Sequence, residues 1–328
     1  MKKVIYLYKS GTLSRQDYSL VLKDKHGYTH YIPIEQINTL ICFGEININK
    51  RCLSLLNSYH ISVLFFNFYG QYIGRFAPKK YLDGKLLIQQ ISAYQNEKER
   101  THIANRMITA SLLNCLSLMK YYNKKSFDLK KYILFIDEII KELSDKNIDQ
   151  MLLWEAQAKK KYYESFDIIL QRSEFSFVKR STRPPLNEIN AMLSYGYSLL
   201  YANYLSVLDR SKLYSQISFI HSLAKNSESL QYDLADIMKP VIVDRLVLSL
   251  CRRNQIKKEY FLYNENRCYL NKEGAKFFVF QYEEYLKRTI TIKNKSYSYR
   301  NLISREVHLL SNYLSGKDSQ YKPYVMKW

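Results

Sequence analysis

The stretch APKKYLDG, residues 77–84, separates two parts of the sequence that have different patterns. Six of the nine glycines fall at or before residue 84, where turns between short strands need them. After this stretch, apolar residues recur at intervals of three and four, the period of a helix packed on one side. An example is the series Ile108, Leu112, Cys115, Leu116 and Met119.

The change of pattern predicts an α+β chain. We expect a small β-rich N-terminal domain over residues 1–76, a linker over 77–85 and a large all-α domain over 86–328. Gly27 and Gly70 lie between neighbouring apolar runs, as hairpin turns do. One helix is expected at Lys50–His60, and the predicted strands are Val4–Tyr8, Tyr18–Leu22, Tyr28–Ile32, Thr39–Phe43 and Ser62–Phe68.

The charge predicts a polyanionic partner. Lys and Arg number 50 against 30 Asp and Glu, which gives a formal net charge of +20. Residues 1–84 carry 11 basic and 5 acidic side chains, or +6, so +14 belongs to residues 85–328. A field of this size attracts nucleic acid or an anionic membrane, although a lysine-rich surface without a partner is the alternative.

The cysteines and the apolar runs exclude several classes of protein. The five cysteines are odd in number and show no Cys-x-x-Cys spacing, which argues against a disulfide framework and a structural zinc site. We expect buried, reduced thiols and a cytoplasmic location. The longest apolar run, Ile61–Phe68, is far shorter than the ~18 residues of a membrane span. The N-terminus does not have the pattern of a signal peptide.

Glu155 is a carboxylate on a predicted apolar helix face. Asn147–Gln150 has the form of a capping box, so a helix is expected to begin there. Burying a bare carboxylate is costly, so Glu155 requires a partner or a metal. An ion pair with Lys159, one turn later, satisfies the requirement equally well, and both interpretations remain open.

A second group of polar residues follows near His221. Asp233 and Asp236 are three residues apart and share a helix face, which is unfavourable unless a cation lies near them. Pro240 lacks the N–H that would bond the carbonyl of Asp236, so the helix is expected to loosen or kink there. With Glu155, these side chains offer carboxylate and imidazole ligands suited to Mg²⁺ or Mn²⁺. On a basic protein, a divalent ion suggests phosphodiester chemistry.

Several motifs then resemble one family. One family segment, RPP…NAxLxxGYxLL, is similar to RPP at residues 183–185 followed by NAMLSYGYSLL at 190–200. A second, FxH…SLxxDLxE…RP, is similar to FIH at 219–221 followed by SLQYDLAD at 229–236 and Lys239-Pro240. Residues 154–162 resemble its EGxAA…Y helix, and residues 299–307 with 321–323 its C-terminal part. The chain therefore resembles the CRISPR-associated endonuclease/integrase of spacer acquisition, the first of the two adaptation proteins.

The resemblance implies a function, ligands and partners. It implies a metal-dependent DNA endonuclease/integrase whose helical domain is catalytic and holds Mg²⁺ or Mn²⁺ through Glu155, His221 and Asp236, with Asp233 supporting. It also implies a homodimer formed through the N-terminal domain, which joins the second, small adaptation protein in a prokaryotic cytoplasm. Asp236 stands where many members have Glu, so the choice between Asp236 and Asp233 as primary ligand stays open.

Basic residues near this predicted site are candidates for DNA phosphate contacts, although any one of them can be a solvated surface charge. They are Arg183, Lys225, Lys239, Arg245, Arg252 and Arg253. Two other classes of function remain as alternatives. A non-catalytic nucleic-acid-binding scaffold would keep the fold without the reaction. A peripheral membrane protein is disfavoured, because the termini contain no basic amphipathic helix.

Overall fold

The computed structural model describes residues 2–79, 83–125, 127–171, 173–223 and 228–327. It divides the chain into two compact units. The first comprises the described residues up to Asp83 together with Leu205–Lys212, and the second comprises Gly84–Tyr204 and the residues described from Leu213 onward. A strand-rich N-terminal region followed by a helical domain confirms the predicted fold class.

The first unit is built from two four-stranded sheets. In one sheet the strand order is β1-β5-β7-β8, with β1, β5 and β7 parallel, and in the other it is β4-β3-β2-β6. Helix α1 spans Lys50–Ser58. The strands are β1 (Lys3–Leu7), β2 (Gly11–Gln16), β3 (Ser19–Asp24), β4 (Thr29–Ile32), β5 (Ile37–Cys42), β6 (Ile46–Ile48), β7 (Ser62–Phe66) and β8 (Tyr72–Phe76).

The core of this unit lies between the sheets and α1. Leu13, Leu20, Leu56 and Val63 are each fully buried in one apolar cluster. Burying side chains of this size contributes about 1.5–3 kcal/mol each, which offsets the entropy of ordering short strands. The predicted hairpin glycines are confirmed, since Gly27 and Gly70 have φ of 86° and 75° and connect β3 to β4 and β7 to β8.

The prediction missed three strands and one long-range segment of the first unit. Strand β2 is mostly polar, β6 has three residues, and β8 contains a glycine, so none has the apolar run that indicates a strand. The segment Leu205–Lys212 joins this unit through Asp209, whose carboxylate accepts hydrogen bonds from Ser62 Oγ at 2.9 Å and Arg75 Nη2 at 2.8 Å. Because Asp209 lies more than 130 residues from Ser62 and Arg75 in the chain, no local sequence pattern predicts these contacts.

The second unit is mainly helical and also contains two short hairpins that the sequence did not predict. They pair β9 (Phe261–Asn264) with β10 (Arg267–Leu270), and β11 (Thr289–Ile292) with β12 (Lys295–Ser298). The helices are α2 (Gly84–Gln95), α3 (Glu97–Asn123), α4 (Lys130–Glu142), α5 (Ile148–Leu170), α6 (Glu188–Arg210), α7 (Leu230–Lys239), α8 (Arg245–Arg252), α9 (Lys272–Lys287) and α10 (Tyr299–Leu314).

Helix α3 is the central helix of this unit and packs against α4, α5 and α7. Its predicted apolar series is confirmed, because Ile108, Leu112, Cys115, Leu116 and Met119 are all buried. Helix α7 is continued by a π-helical turn over Pro240–Asp244. The segment Lys179–Pro185 has no regular structure, as predicted. Helices α5 and α7, which both pack against α3, carry the carboxylates discussed below.

Two further expectations can be compared with the structure, and part of two others cannot. All five cysteines are free and buried. Within the described ranges, no helix is both long and apolar enough to cross a membrane. Part of the predicted linker, residues 80–82, and the predicted phosphate contact Lys225 lie outside the described residues.

Candidate metal centre

Helix α5 presents Glu155 and Lys159 on the same face. The helix begins as predicted, with Asn147 Oδ1 accepting from Gln150 N at 2.9 Å and Gln150 Oε1 accepting from Asn147 N at 3.2 Å. This capping box sets the residue at which the helix begins. Two turns later, Glu155 points into the unit, and only 7% of its surface is exposed. Lys159 Nζ lies 2.8 Å from Glu155 Oε1, which is the ion pair left open above.

The same ammonium also reaches the neighbouring helix α7. Lys159 Nζ lies 2.8 Å from Asp236 Oδ2, and Lys239 pairs with the other oxygen, Oδ1. Burial raises the pKa of the Asp236 carboxyl, but the two ammonium groups outweigh burial and hold the pKa well below its usual range. We call Glu155, Lys159, Asp236 and Lys239 the lysine cluster. Within this cluster, the ammonium of Lys159 joins two carboxylates from different helices.

The backbone beside Asp236 departs from regular helix as the sequence predicted. Pro240 has no N–H for the carbonyl of Asp236, and the chain continues as a π-helical turn. Two side chains of α3 donate to backbone carbonyls here, and the first of them takes the place of the missing N–H. Ser111 Oγ donates to Asp236 O at 2.9 Å, and Asn114 Nδ2 donates to Ile237 O at 2.8 Å. The distorted end of α7 is therefore held by α3.

Asp233 has a different environment, although it lies only one turn before Asp236. Its carboxylate has no exposed surface. Oδ2 accepts from the backbone N–H of Phe219 at 2.7 Å and of Ile220 at 3.0 Å, and Oδ1 accepts from that of His221 at 3.2 Å. We call Asp233 and the segment 219–221 the Asp233 junction. Here the carboxylate fixes the loop that carries His221.

The Asp233 junction also sets the orientation of the imidazole. His221 Nδ1 lies 2.6 Å from Asp233 Oδ1, and this hydrogen bond raises the pKa of His221 above its ordinary value. In the neutral ring, Nδ1–H donates to the carboxylate and Nε2 keeps its lone pair. The side chain is 43% exposed. A carboxylate behind a histidine is the usual support of a metal-ligating imidazole.

These groups fit a hard divalent cation in kind and, in part, in position. Glu155 and Asp236 converge on a single ammonium, so together they already hold one cation, and oxygen and imidazole donors suit Mg²⁺ and Mn²⁺. In the part of the chain that the structure describes, no three His, Cys, Asp or Glu side chains stand close enough to hold a metal ion as they are. The position between the two carboxylates is taken by Lys159.

The predicted phosphate contacts that the structure describes lie in four kinds of surroundings. Arg183 is exposed. Lys239 is engaged by Asp236 and lies over the rings of Tyr197 and Tyr201 at 5.0 and 5.1 Å, so it is a member of the lysine cluster and not a solvated charge. Arg245 Nη1 donates to Tyr299 Oη at 3.1 Å.

Arg252 and Arg253 belong to a polar cavity. The cavity measures about 180 Å³, and its other lining residues are Tyr121, Tyr122, Lys125 and Ser249. The Arg252 guanidinium contacts two aromatic rings, 5.3 Å from the centre of Tyr122 and 4.6 Å from that of Phe127. Stacking of this kind holds an arginine in place while its N–H groups remain at the edge.

The sequence did not reveal one buried carboxylate beside the lysine cluster. Asp244 accepts from Tyr162 Oη at 2.8 Å and from Tyr197 Oη at 2.5 Å. Burial raises its pKa, and the two hydroxyl donors lower it less. The available signal was weak, because Asp244 follows Pro240 in the segment VIVDR, whose apolar residues predict only a core helix.

Two distant relatives by structure show how far the fold is shared. A chain titled casposase bound to integration product is 22% identical, with a TM-score of 0.87, 99% of this chain covered and 94% of that one. A chain of a Cas6-RT-Cas1–Cas2 complex is 17% identical, with a TM-score of 0.85, 100% of this chain covered and 36% of that one. At such identities, the likeness concerns the fold alone.

Nearer relatives establish the family. The family model for CRISPR associated protein Cas1 matches residues 5–284. A CRISPR-associated endonuclease Cas1 of Clostridium perfringens is 34% identical over 333 residues, which cover all of both chains. The structure of TM1797, a CAS1 protein from Thermotoga maritima, is 32% identical with a TM-score of 0.86 and covers 99% of this chain and 100% of that one. The chain therefore belongs to the Cas1 family of CRISPR-associated proteins.

Proposed function

We propose that this protein is a metal-dependent DNA endonuclease and integrase of CRISPR adaptation, which inserts short captured DNA into a CRISPR array. The observation that carries the proposal is the convergence of Glu155 and Asp236, from two helices, on one cation beside the supported imidazole of His221. The chain covers the full length of a relative named an endonuclease, and a casposase of the same fold is bound to an integration product.

Glu155, His221 and Asp236 would hold Mg²⁺ or Mn²⁺, with His221 binding through Nε2. When bound, such an ion polarises a phosphoryl oxygen and stabilises the charge of the transition state. Asp233 keeps its contacts to the backbone, so it positions His221 and is not itself a ligand. This assigns Asp236 as the carboxylate ligand of α7 and Asp233 as its support.

The reaction is a transesterification. The 3′-hydroxyl oxygen of the captured DNA forms a bond to a phosphorus at the edge of a CRISPR repeat. The bond between that phosphorus and the 3′-oxygen of the adjoining nucleotide in the attacked strand breaks. The attacking hydroxyl loses its proton to solvent, and the leaving 3′-oxygen takes one up. In the endonuclease reaction, water replaces the 3′-hydroxyl.

The partners follow from the charge and the family. DNA is the polyanion for which a net charge of +20 is suited, with phosphates near Arg183, Arg245, Arg252 and Arg253. The protein would act as a homodimer together with the second adaptation protein, and a chain of this fold occurs in a complex that contains Cas2. DNA binding should weaken steeply with salt, because bound phosphates release counterions.

A strand-transfer assay tests the proposal. Labelled 3′-OH duplex is incubated with a repeat-bearing plasmid, the second adaptation protein and Mn²⁺, and wild type is compared with His221→Ala. We expect wild type to join label to the plasmid, and EDTA or the substitution to abolish joining. Equal joining by both proteins would overturn the assigned site.

The same assay tests the second candidate function, a nucleic-acid-binding scaffold without catalysis. This candidate is favoured by one observation, that the described residues contain no ready group of three metal ligands. No joining by wild type, with salt-sensitive DNA binding intact, would support it.

A further inference from the structure

Lys159 occupies an unusual position for a lysine. Its Nζ lies 2.8 Å from Oε1 of Glu155 and 2.8 Å from Oδ2 of Asp236, the two carboxylates to which a metal is assigned above. The two acids come from α5 and α7, and the ammonium joins them. The side chain is 24% exposed, so water has little access to separate these charges.

A divalent ion and this ammonium cannot share the two carboxylates in the arrangement seen. Mg²⁺ binds oxygen at about 2.1 Å, so an ion held by the same oxygens would lie within a few ångströms of Nζ. At such separations, like charges in a partly buried site repel strongly. One of the two cations has to leave.

Lys239 is the less mobile of the two lysines of the cluster. It is three residues after Asp236 on the same helix and is covered by the rings of Tyr197 and Tyr201. Lys159 comes from the other helix and has no such aromatic contact among the described residues. If the ammonium of Lys159 moved away, the space between the carboxylates of Glu155 and Asp236 would be open to a metal ion, and Lys239 would stay in place.

We propose that Lys159 is a resident counter-ion that holds Glu155 and Asp236 together in the metal-free protein and leaves when a divalent metal binds. Metal binding is then an exchange of one cation for another, and Lys159 sets the affinity. The inference rests on the proposed function, because it takes Glu155 and Asp236 as metal ligands. Lys159 is a positioning residue in this account, since it acts through the two carboxylates.

Calorimetric titration of the metal-stripped full chain with Mn²⁺ tests the exchange. Wild type is compared with Lys159→Met, which keeps much of the length of the side chain and removes the charge. Lys160→Met is the matched control, because Lys160 is the next residue of α5 and is exposed. We expect Lys159→Met to bind Mn²⁺ at least about tenfold more tightly than wild type, and the control to bind like wild type.

Two results would overturn parts of the account differently. Unchanged or weaker Mn²⁺ binding by folded Lys159→Met, with wild type binding normally, would overturn the exchange and leave the metal site standing. Absence of Mn²⁺ binding in both proteins would overturn the metal site and the exchange with it.

A measurement on wild type alone covers the case in which Lys159→Met does not fold. Lysines are acetylated briefly with and without Mn²⁺, and the modification of Lys159 is compared with that of Lys160 by mass spectrometry. Release of the ammonium should increase the labelling of Lys159 severalfold and leave Lys160 unchanged. Equal labelling of Lys159 at Mn²⁺ concentrations that titration shows to be saturating would contradict the proposal.

Discussion

In the Asp233 junction, a fully buried carboxylate accepts three backbone N–H groups and an imidazole, whereas in the lysine cluster a carboxylate one turn later meets two ammonium groups. The first set of donors is fixed by the chain, since it belongs to the backbone of residues 219–221. The second set is carried on lysine side chains, of which, within the described ranges, Lys239 is covered by two tyrosine rings and Lys159 is not. We therefore infer that Asp233 stabilises the fold, whereas Asp236 can exchange the cation that it binds.

The largest effect is expected from Asp233→Asn. The amide nitrogen would face N–H donors in a site with no water access, and an isolated mismatch of this kind costs about 3–5 kcal/mol. Urea denaturation followed by circular dichroism measures the loss. Asp236→Asn is the matched comparison and should cost less, because Lys159 keeps Glu155. A greater loss for Asp236→Asn would reverse the roles given to the two regions.

His221→Ala should separate activity from stability. The side chain is 43% exposed and the backbone contacts to Asp233 remain, so the unfolding free energy should change by no more than about 1 kcal/mol. Strand transfer should fall at least about 100-fold, because His221 is one of the three proposed metal ligands. Both quantities can be measured on one preparation. Large destabilisation with residual joining would show that the junction needs the imidazole for folding.

Glu306 is a third buried carboxylate and lies outside both regions. In Glu306 the effect of burial on the pKa is larger than that of its charged neighbour, so it contrasts with Asp236. Burial raises its pKa from 4.5 to about 7, against the hydrogen bond from Tyr324 N and the charge of Arg305. The folded state therefore retains a proton that the unfolded chain loses, and stability contributed by this group falls as the pH rises from 4.5 to about 7.

Glu306→Gln should accordingly gain stability over wild type across that interval, by on the order of 3 kcal/mol, and keep a constant difference above it. Melting temperatures of both proteins from pH 5 to pH 8 give the difference directly. A constant difference over the whole range would show that Glu306 is ionised throughout.

The smallest effect is expected from Ser111→Ala. Its hydroxyl is the donor that replaces the missing N–H of Pro240 at the carbonyl of Asp236. Losing one such hydrogen bond costs about 1 kcal/mol. Chemical denaturation measures it, and a weaker Mn²⁺ affinity would add that the backbone of α7 helps to place Asp236. No change in either quantity would mean that water serves equally well.

Much of the local structure was predictable, because local patterns determine it. The capping box at Asn147, the departure from regular helix at Pro240, the hairpin glycines and the apolar face of α3 each depend on residues a few positions apart. Strands β2, β6 and β8 were missed because they are polar, short or interrupted by glycine.

The candidate site was predictable only as a set of residue types. Glu155, His221, Asp233 and Asp236 were named from the sequence, but their division into two regions depends on contacts between segments 77 and 12 residues apart. The same applies to Ser111 and Asn114, whose carbonyl partners lie more than 120 residues away. Sequence spacing gives the pairing of Glu155 with Lys159, but it does not give the second partner of Lys159.

The metal site can be located in crystals of the protein soaked in Mn²⁺, measured at a wavelength where manganese scatters anomalously. We expect one strong anomalous peak coordinated by Glu155, His221 and Asp236, with Asp233 still bonded to the backbone of residues 219–221 and Lys159 displaced. A peak bound by Asp233, or no peak near either carboxylate of α7 at saturating Mn²⁺, would contradict this expectation.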